Sequence, residues 1–195
     1  GAPEGGTRLL WIDIMGEGRS QIIGVTIPED REVPTLEDSD NVAAEPVVES
    51  ILGRVEQIRL HHIGDGSVLT FYPQGGDITA RFIGPDGQFR GPAQPVVRLR
   101  EDSRALLYDA GVAGNRLGAA WTDARTNELA VLHFQAIEAS SGEATRAQRV
   151  AGLVRPDIPP QVAGAGDLFA VTWIDRTDAE QESVRLSMLR CGGGQ

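Results

Sequence analysis

The chain has 195 residues, of which 41% are hydrophobic and 5% aromatic, with 24 Gly, 11 Pro and a formal net charge of −10. This suits one domain or one repeat array with a real core and many turns, and it excludes wholesale disorder. All 18 basic residues are arginine; that excludes a Schiff-base or phosphate-loop lysine, and the acidic balance argues against a nucleic-acid partner. No run approaches the roughly 18 apolar residues of a membrane-spanning helix, so no transmembrane segment is expected. The opening "GAPEGG" has neither the basic start nor the apolar centre of a signal peptide, so an exported protein would already have lost its signal.

In chain order the sequence repeats itself. The first unit, residues 1–53, opens on "TRLLWID", placing Trp11 and Asp13, and continues into "RSQIIGVTIPED" and "AEPVV" at 44–48. Residues 31–57 form a longer insert with a partial helical period. Ser39 would cap a short helix there, but Pro34 and Pro46 limit it. The second unit, 54–101, reads "VEQIRLHHIG", "GDGSVLTFYP" with Phe71 in the tryptophan position, "GDITARFIGPDGQ" and "AQPVV" at 93–97. The third, 102–154, reads "RALLYDAGVAG", "GNRLGAAWTD" with Trp121 and Asp123, "NELAVLHFQAIEASSGE" and "AQRVA" at 147–151. The fourth, 155–195, reads "PPQVAGAG", "GDLFAVTWID" with Trp173 and Asp175, and "QESVRLSMLRC".

Two unrelated phrases, the W-x-D phrase and the A-Q-P-V phrase, recur at the same spacing of roughly 50 residues, the signature of a repeat architecture. Apolar residues alternate within each phrase, and Gly, Asp and Ser mark tight turns between them. Each unit therefore reads as four antiparallel strands. The fold class expected is all-β: a β-propeller of four-stranded antiparallel blades, about four in this chain. Two are incomplete, the first opening at its second strand and the fourth closing after its third. The pattern P-x-V-A…G-x-F-x-V-x-W-x-D…A-x-P-V resembles the propeller repeats of exported bacterial proteins. "PPQVAGAGDLFAVTWID" carries it most fully, with Pro160, Val162, Gly166, Phe169, Val171, Trp173 and Asp175. The resemblance implies a fold and an exported location, periplasmic, outer-membrane-associated or extracellular, but no activity, because propellers host enzymes, lectins and scaffolds alike.

The candidate binding residues are those at the end of the repeated phrase: Trp121, Asp123, Arg125, Trp173, Asp175 and Arg176. A Trp or Asp repeated in every unit is first a packing or loop-fixing residue, and the following arginines would clasp neighbouring blades. The competing reading is a ring of carboxylates or stacking aromatics that binds a cation or glycan, as in a lectin or hydrolase. Calcium is the one cofactor that reading would admit, although "DARTNE" and "DRTDAE" lack the calcium-loop spacing. No catalytic residue is assigned. His61 and His62 point to opposite faces of a strand, His133 lies in another unit, and no G-x-S-x-G elbow or zinc spacing exists. Asp65 and Asp86 read as turn residues. Cys191, the single cysteine, has no internal disulfide partner; it is a candidate for an inter-chain disulfide or a buried thiol. The function expected is a non-catalytic interaction or assembly subunit, whose propeller is completed by another polypeptide, a precursor segment or further copies of itself.

Overall fold

The structure, a computed structural model, describes residues 7–16, 18–27, 45–52, 55–64, 66–73, 77–84, 88–98, 104–124, 130–139, 141–178 and 181–191. Regular structure among them is all strand, as the alternating patterns predict. The chain divides into two compact units, Gly1–Pro95 and Val96–Gln195.

The first unit holds two antiparallel sheets. One is ordered β1-β2-β3, from β1 (Thr7–Met15), β2 (Arg19–Ile27) and β3 (Glu45–Leu52). The other is the meander β4-β5-β6-β7, from β4 (Val55–Ile63), β5 (Gly66–Pro73), β6 (Ile78–Ile83) and β7 (Phe89–Val97). Ile22, Ile51, Val55, Leu69, Phe71 and Ile83 form one buried cluster between them, with Leu10, Ile12 and Ile58 packed against it. The buried Ser20 hydroxyl accepts a hydrogen bond from the Val55 backbone N–H at 3.1 Å, so the start of β4 is tied to β2 by a polar contact as well. Over the described part of the insert the partial helical period is overridden: residues 45–52 and 55–63 are strands, paired with β2 and β5, while Ser39 and the rest of 31–44 lie outside the described residues. Three- and four-residue apolar spacing in a short Val- and Ile-rich stretch is compatible with a strand, and sheet partners decide it.

The second unit is built from β8 (Arg104–Ala113), β9 (Arg116–Ala124), β10 (Ala130–Glu138), β11 (Gln148–Val154), β12 (Gln161–Ala165), β13 (Leu168–Asp178) and β14 (Gln181–Arg190). Here the structure departs from separate blades. Val154 of β11 pairs with Asp175 of β13, and the Arg155 N–H donates to the Ile174 carbonyl at 3.2 Å. One sheet therefore runs β12-β13-β11-β10-β9-β8, with β14 on the other edge of β13. The join is local, because β12 occupies that edge of β13 over 168–172 and β11 takes it over at 175.

The sheet curls until its end strands meet, giving a nearly closed, six-stranded, barrel-like arrangement. At the seam the Val162 N–H donates to Asp109 Oδ2 at 2.8 Å. Gly111 and Gly164 let the two backbones approach: a Cβ on Gly164 would stand 2.2 Å from the Val112 carbonyl oxygen, and one on Gly111 2.8 Å from that of Val162. The interior holds Leu132 and Phe134 of β10, Ala120 of β9, and Phe169 and Val171 of β13. The Phe134 and Phe169 rings tilt at 54° with centroids 5.2 Å apart, a favoured aromatic geometry. β11 makes its turn through Leu153, which is skipped by the pairing of Ala130 with Val154 and Val131 with Gly152. Leu153 is the extra residue of a β-bulge and takes φ 65°, a left-handed conformation that usually selects glycine.

Candidate functional site

The repeated W-x-D phrase runs from the middle of its strands into their second half, and the structure gives each copy a different environment. On β9 Trp121 is buried and stacks on His133 across the β9–β10 pair, at 5.5 Å between centroids and 19° between planes. Alternation puts Ala119, Trp121 and Asp123 on the same face of β9, opposite the face that carries Ala120 and Ala124 into the core. Burial pushes the His133 imidazole below its ordinary value; Asp123 opposes that shift and Arg149, its cross-strand neighbour, reinforces it. One carboxylate oxygen of Asp123, Oδ1, is buried without a hydrogen-bond partner among the described residues. Arg125 lies outside the described residues, as do Asp65 and Asp86.

On β13 Trp173 is half-buried and packs against the core of the second unit. Its neighbour two residues on, Asp175, pairs with Arg185 of β14 at 3.3 Å. Arg155 donates to Asp157 through Nε at 2.7 Å and also bonds Glu182. The Asp157 carboxyl is held down to about 2, chiefly by that hydrogen bond from Arg155, with a smaller contribution from the charge of Arg176. Asp157 belongs to the connection from β11 to β12, so Arg155 ties that connection to Glu182 of β14, while the Asp175–Arg185 pair lies on the other face of the β13–β14 hairpin. On β1 the pattern changes again. Trp11 is 40% exposed, unlike Trp121, and Asp13 accepts from the amide of Gln21 across the hairpin at 2.7 Å.

The repeated tryptophan is thus buried on β9, half-buried on β13 and exposed on β1. For Asp13 and Asp175 the hydrogen-bonding side chain stands across the hairpin, on Gln21 and Arg185, where the sequence suggested a loop N–H. Among the described residues no group of three or more His, Cys, Asp or Glu is placed to hold a metal ion. His61 and His62 sit side by side on β4, one half-buried and one exposed, as alternation requires.

A cavity of about 390 Å3 opens at the opposite, hairpin-turn end of the second unit, lined by Asn115, Arg116, Glu138, Asp167, Phe169 and Cys191. Residues 114–116 and 166–168 reach it through the turns of the β8–β9 and β12–β13 hairpins, and Glu138 stands at the end of β10. Glu138 accepts from Asn115 Nδ2 at 2.7 Å and from Arg116 Nε at 3.0 Å, and Arg116 Nη1 reaches the Cys191 carbonyl oxygen at 2.8 Å. The hydrogen bond with Glu138 raises the Arg116 guanidinium above its ordinary value. Cys191 is half-buried and packs on the core; burial is the largest of the effects that push its thiol up. Through its bonds to Glu138 and to the Cys191 carbonyl, Arg116 clasps the end of β14 to the β9–β10 hairpin. Nothing in the primary sequence marks Arg116 or Glu138, because they meet only through cross-strand register, which places them directly opposite each other.

The fold and these contacts define an all-β protein of antiparallel strands, with a nearly closed, barrel-like sheet in its second unit. Among described residues no helix is long and apolar enough to cross a membrane. No protein-family model matches the chain, and no curated protein matches it. Among solved structures, the α-L-arabinofuranosidase from Lactobacillus brevis aligns over 95% of this chain and 69% of its own, with a TM-score of 0.52 and 6% sequence identity. At that identity the likeness is one of fold alone.

Proposed function

We propose that this chain is a β-propeller-type repeat module, of the kind found in exported bacterial repeat proteins, that works as a non-catalytic interaction or assembly subunit. The observation that carries the reading is an apolar row on β14: Val184, Leu186 and Met188 are 73%, 60% and 56% exposed, on a strand whose outer edge is unpaired among the described residues. A soluble protein rarely leaves a contiguous apolar row on an open sheet edge uncovered, and such a row marks a contact surface. The W-x-D residues support the reading by their work in packing and in cross-strand pairing, and the cavity residues by their mutual clasp.

The test is the mass of the native material by size exclusion with light scattering, together with hydrogen exchange over β14. Assembly predicts a particle heavier than the 20.9 kDa chain, with the outward β14 amides, those not bonded to β13, protected in the particle and fast in the isolated chain. A monodisperse native monomer with fast exchange at those amides would overturn the proposal.

A further inference from the structure

Within each unit the sheets pack by one rule. In the first, the face of β5 that carries Leu69 and Phe71 covers Ile22 of β2. In the second, the face of β13 that carries Phe169 and Val171 covers Leu132, Phe134 and Ala136 of β10. In both, the strand bearing the repeated aromatic lies over the apolar face of strands earlier in the chain, those of a second sheet in the first unit and those of the same curled sheet in the second.

Register identifies which residues of β14 stand where those of β10 stand. His133 lies opposite Trp121, and Arg185 lies opposite Trp173. Counting outward from each pair, Val184 takes the place of Leu132, Leu186 that of Phe134, and Met188 that of Ala136. The β10 residues are 0%, 2% and 1% exposed, whereas their β14 counterparts are 73%, 60% and 56% exposed. β14 therefore carries a finished interface face with no sheet over it.

The covering face has a counterpart as well. Aligning Trp11 with Trp173 puts Leu9 where Val171 stands. Val171 is fully buried, while Leu9 is 44% exposed and Trp11 40%, with Met15 alongside at 40%. The opposite face of the same sheet, through Leu10 and Ile12, is already used in the core of the first unit.

Resting on the repeat-module reading, we propose that this chain associates head to tail with a second copy of itself, the β14 face of one copy seated under the β1–β2 face of the next. The new interface repeats one that the chain already forms twice, and it joins unlike faces, so it is heterologous and propagates or closes into a ring. Trp11 and Leu186 are its central anchors, as large apolar side chains at the middle of each row.

The full chain is examined by light scattering over a concentration series, with two exposed-site variants, Leu186→Asp and Trp11→Asp. Head-to-tail association predicts a wild-type mass that rises with concentration. Each variant alone is monomeric, its association weakened roughly tenfold or more, as loss of one buried large apolar side chain implies. An equimolar mixture of the two recovers a dimer and nothing larger, because each supplies the face that the other lacks. Leu186→Thr and Trp11→Thr repeat the measurement with strand-forming residues, and circular dichroism shows that each variant is folded.

A wild-type chain that stays monomeric at every concentration overturns the inference, as does association that persists in Trp11→Asp alone, which would pair two β14 faces. If the isolated chain is monomeric but the native particle is heavier, the second-copy inference falls and the assembly proposal stands. If both are monomeric, both fall.

Discussion

Replacing Gly164 by alanine tests the seam that nearly closes the second unit. The added Cβ would lie 2.2 Å from the Val112 carbonyl oxygen and 2.8 Å from the Ala113 Cβ, where ordinary contact begins at 3.4 Å. Neither obstacle is the flexible end of a side chain, so β12 must move away from β8 by about 1 Å, a shift of the kind that overpacking forces. That movement stretches the 2.8 Å hydrogen bond from the Val162 N–H to Asp109 Oδ2. Overpacking costs about 1–3 kcal/mol, and a weakened hydrogen bond to a carboxylate oxygen adds up to about 1.5–3 kcal/mol. For a chain of this size, each kcal/mol lowers the midpoint by roughly 2–4 °C, so a fall of about 5–15 °C is expected. Gly166→Ala is the control: its φ is +59° and nothing lies within 4 Å of the added Cβ. It therefore carries only a conformational cost of about 1 kcal/mol. Thermal and urea unfolding of the full chain separate the two variants. If Gly164→Ala is no more destabilised than Gly166→Ala, β8 and β12 do not approach as described and the seam is wrong.

Asp109→Ala removes the acceptor for the Val162 N–H and should cost about 1–3 kcal/mol in urea unfolding. It should be less than additive with Gly164→Ala, since both loosen one seam. Leu153→Gly should stabilise by about 0.5–1 kcal/mol despite losing an apolar side chain, because Leu153 is 42% exposed and held at φ 65°; a clear loss of stability would remove the bulge strain. His133 is held below its ordinary value of 6.5 in the folded protein, first by burial. The unfolded chain therefore binds the proton more readily, so this stability is full above about pH 6.5 and is lost as the pH falls through the lower folded value. Unfolding midpoints should drop between pH 7.5 and 5 less in His133→Gln than in the wild type; equal drops would refute the assignment. Cys191 should react slowly with a disulfide reagent at neutral pH, and, with rates compared at equal thiolate fraction because Arg116 also pulls the thiol down, faster in Arg116→Ala, which frees its carbonyl from the guanidinium. An unchanged rate would show that the clasp does not shield it.

The strands were legible because each is short, alternates and is bounded by turn residues, and the period was legible because two phrases recur together. Even the equivalence of Trp121 and Trp173 can be read from the spelling of "GAAWTD" and "AVTWID". Whether such a tryptophan is buried cannot be read there: Trp11, Trp121 and Trp173 follow nearly the same local pattern, yet Trp11 is exposed. Burial is set by tertiary packing, which the local residues do not encode. The same holds for the candidate site, where Arg125, Trp121 and Asp123 stood out by repetition, while Arg116, Glu138 and Cys191 were brought together by register across separate hairpins.

Local alternation and turn chemistry act over a few residues, so they write strands and hairpins directly into the chain, together with the repeat that lines them up. The closure of β12 against β8 and the handover of the β13 edge from β12 to β11 depend on backbones far apart in sequence meeting at Gly111, Gly164, Val154 and Asp175. The open β14 row depends on them too, since burial and pairing are properties of the assembled sheets, and a residue acquires them from whatever packs over it.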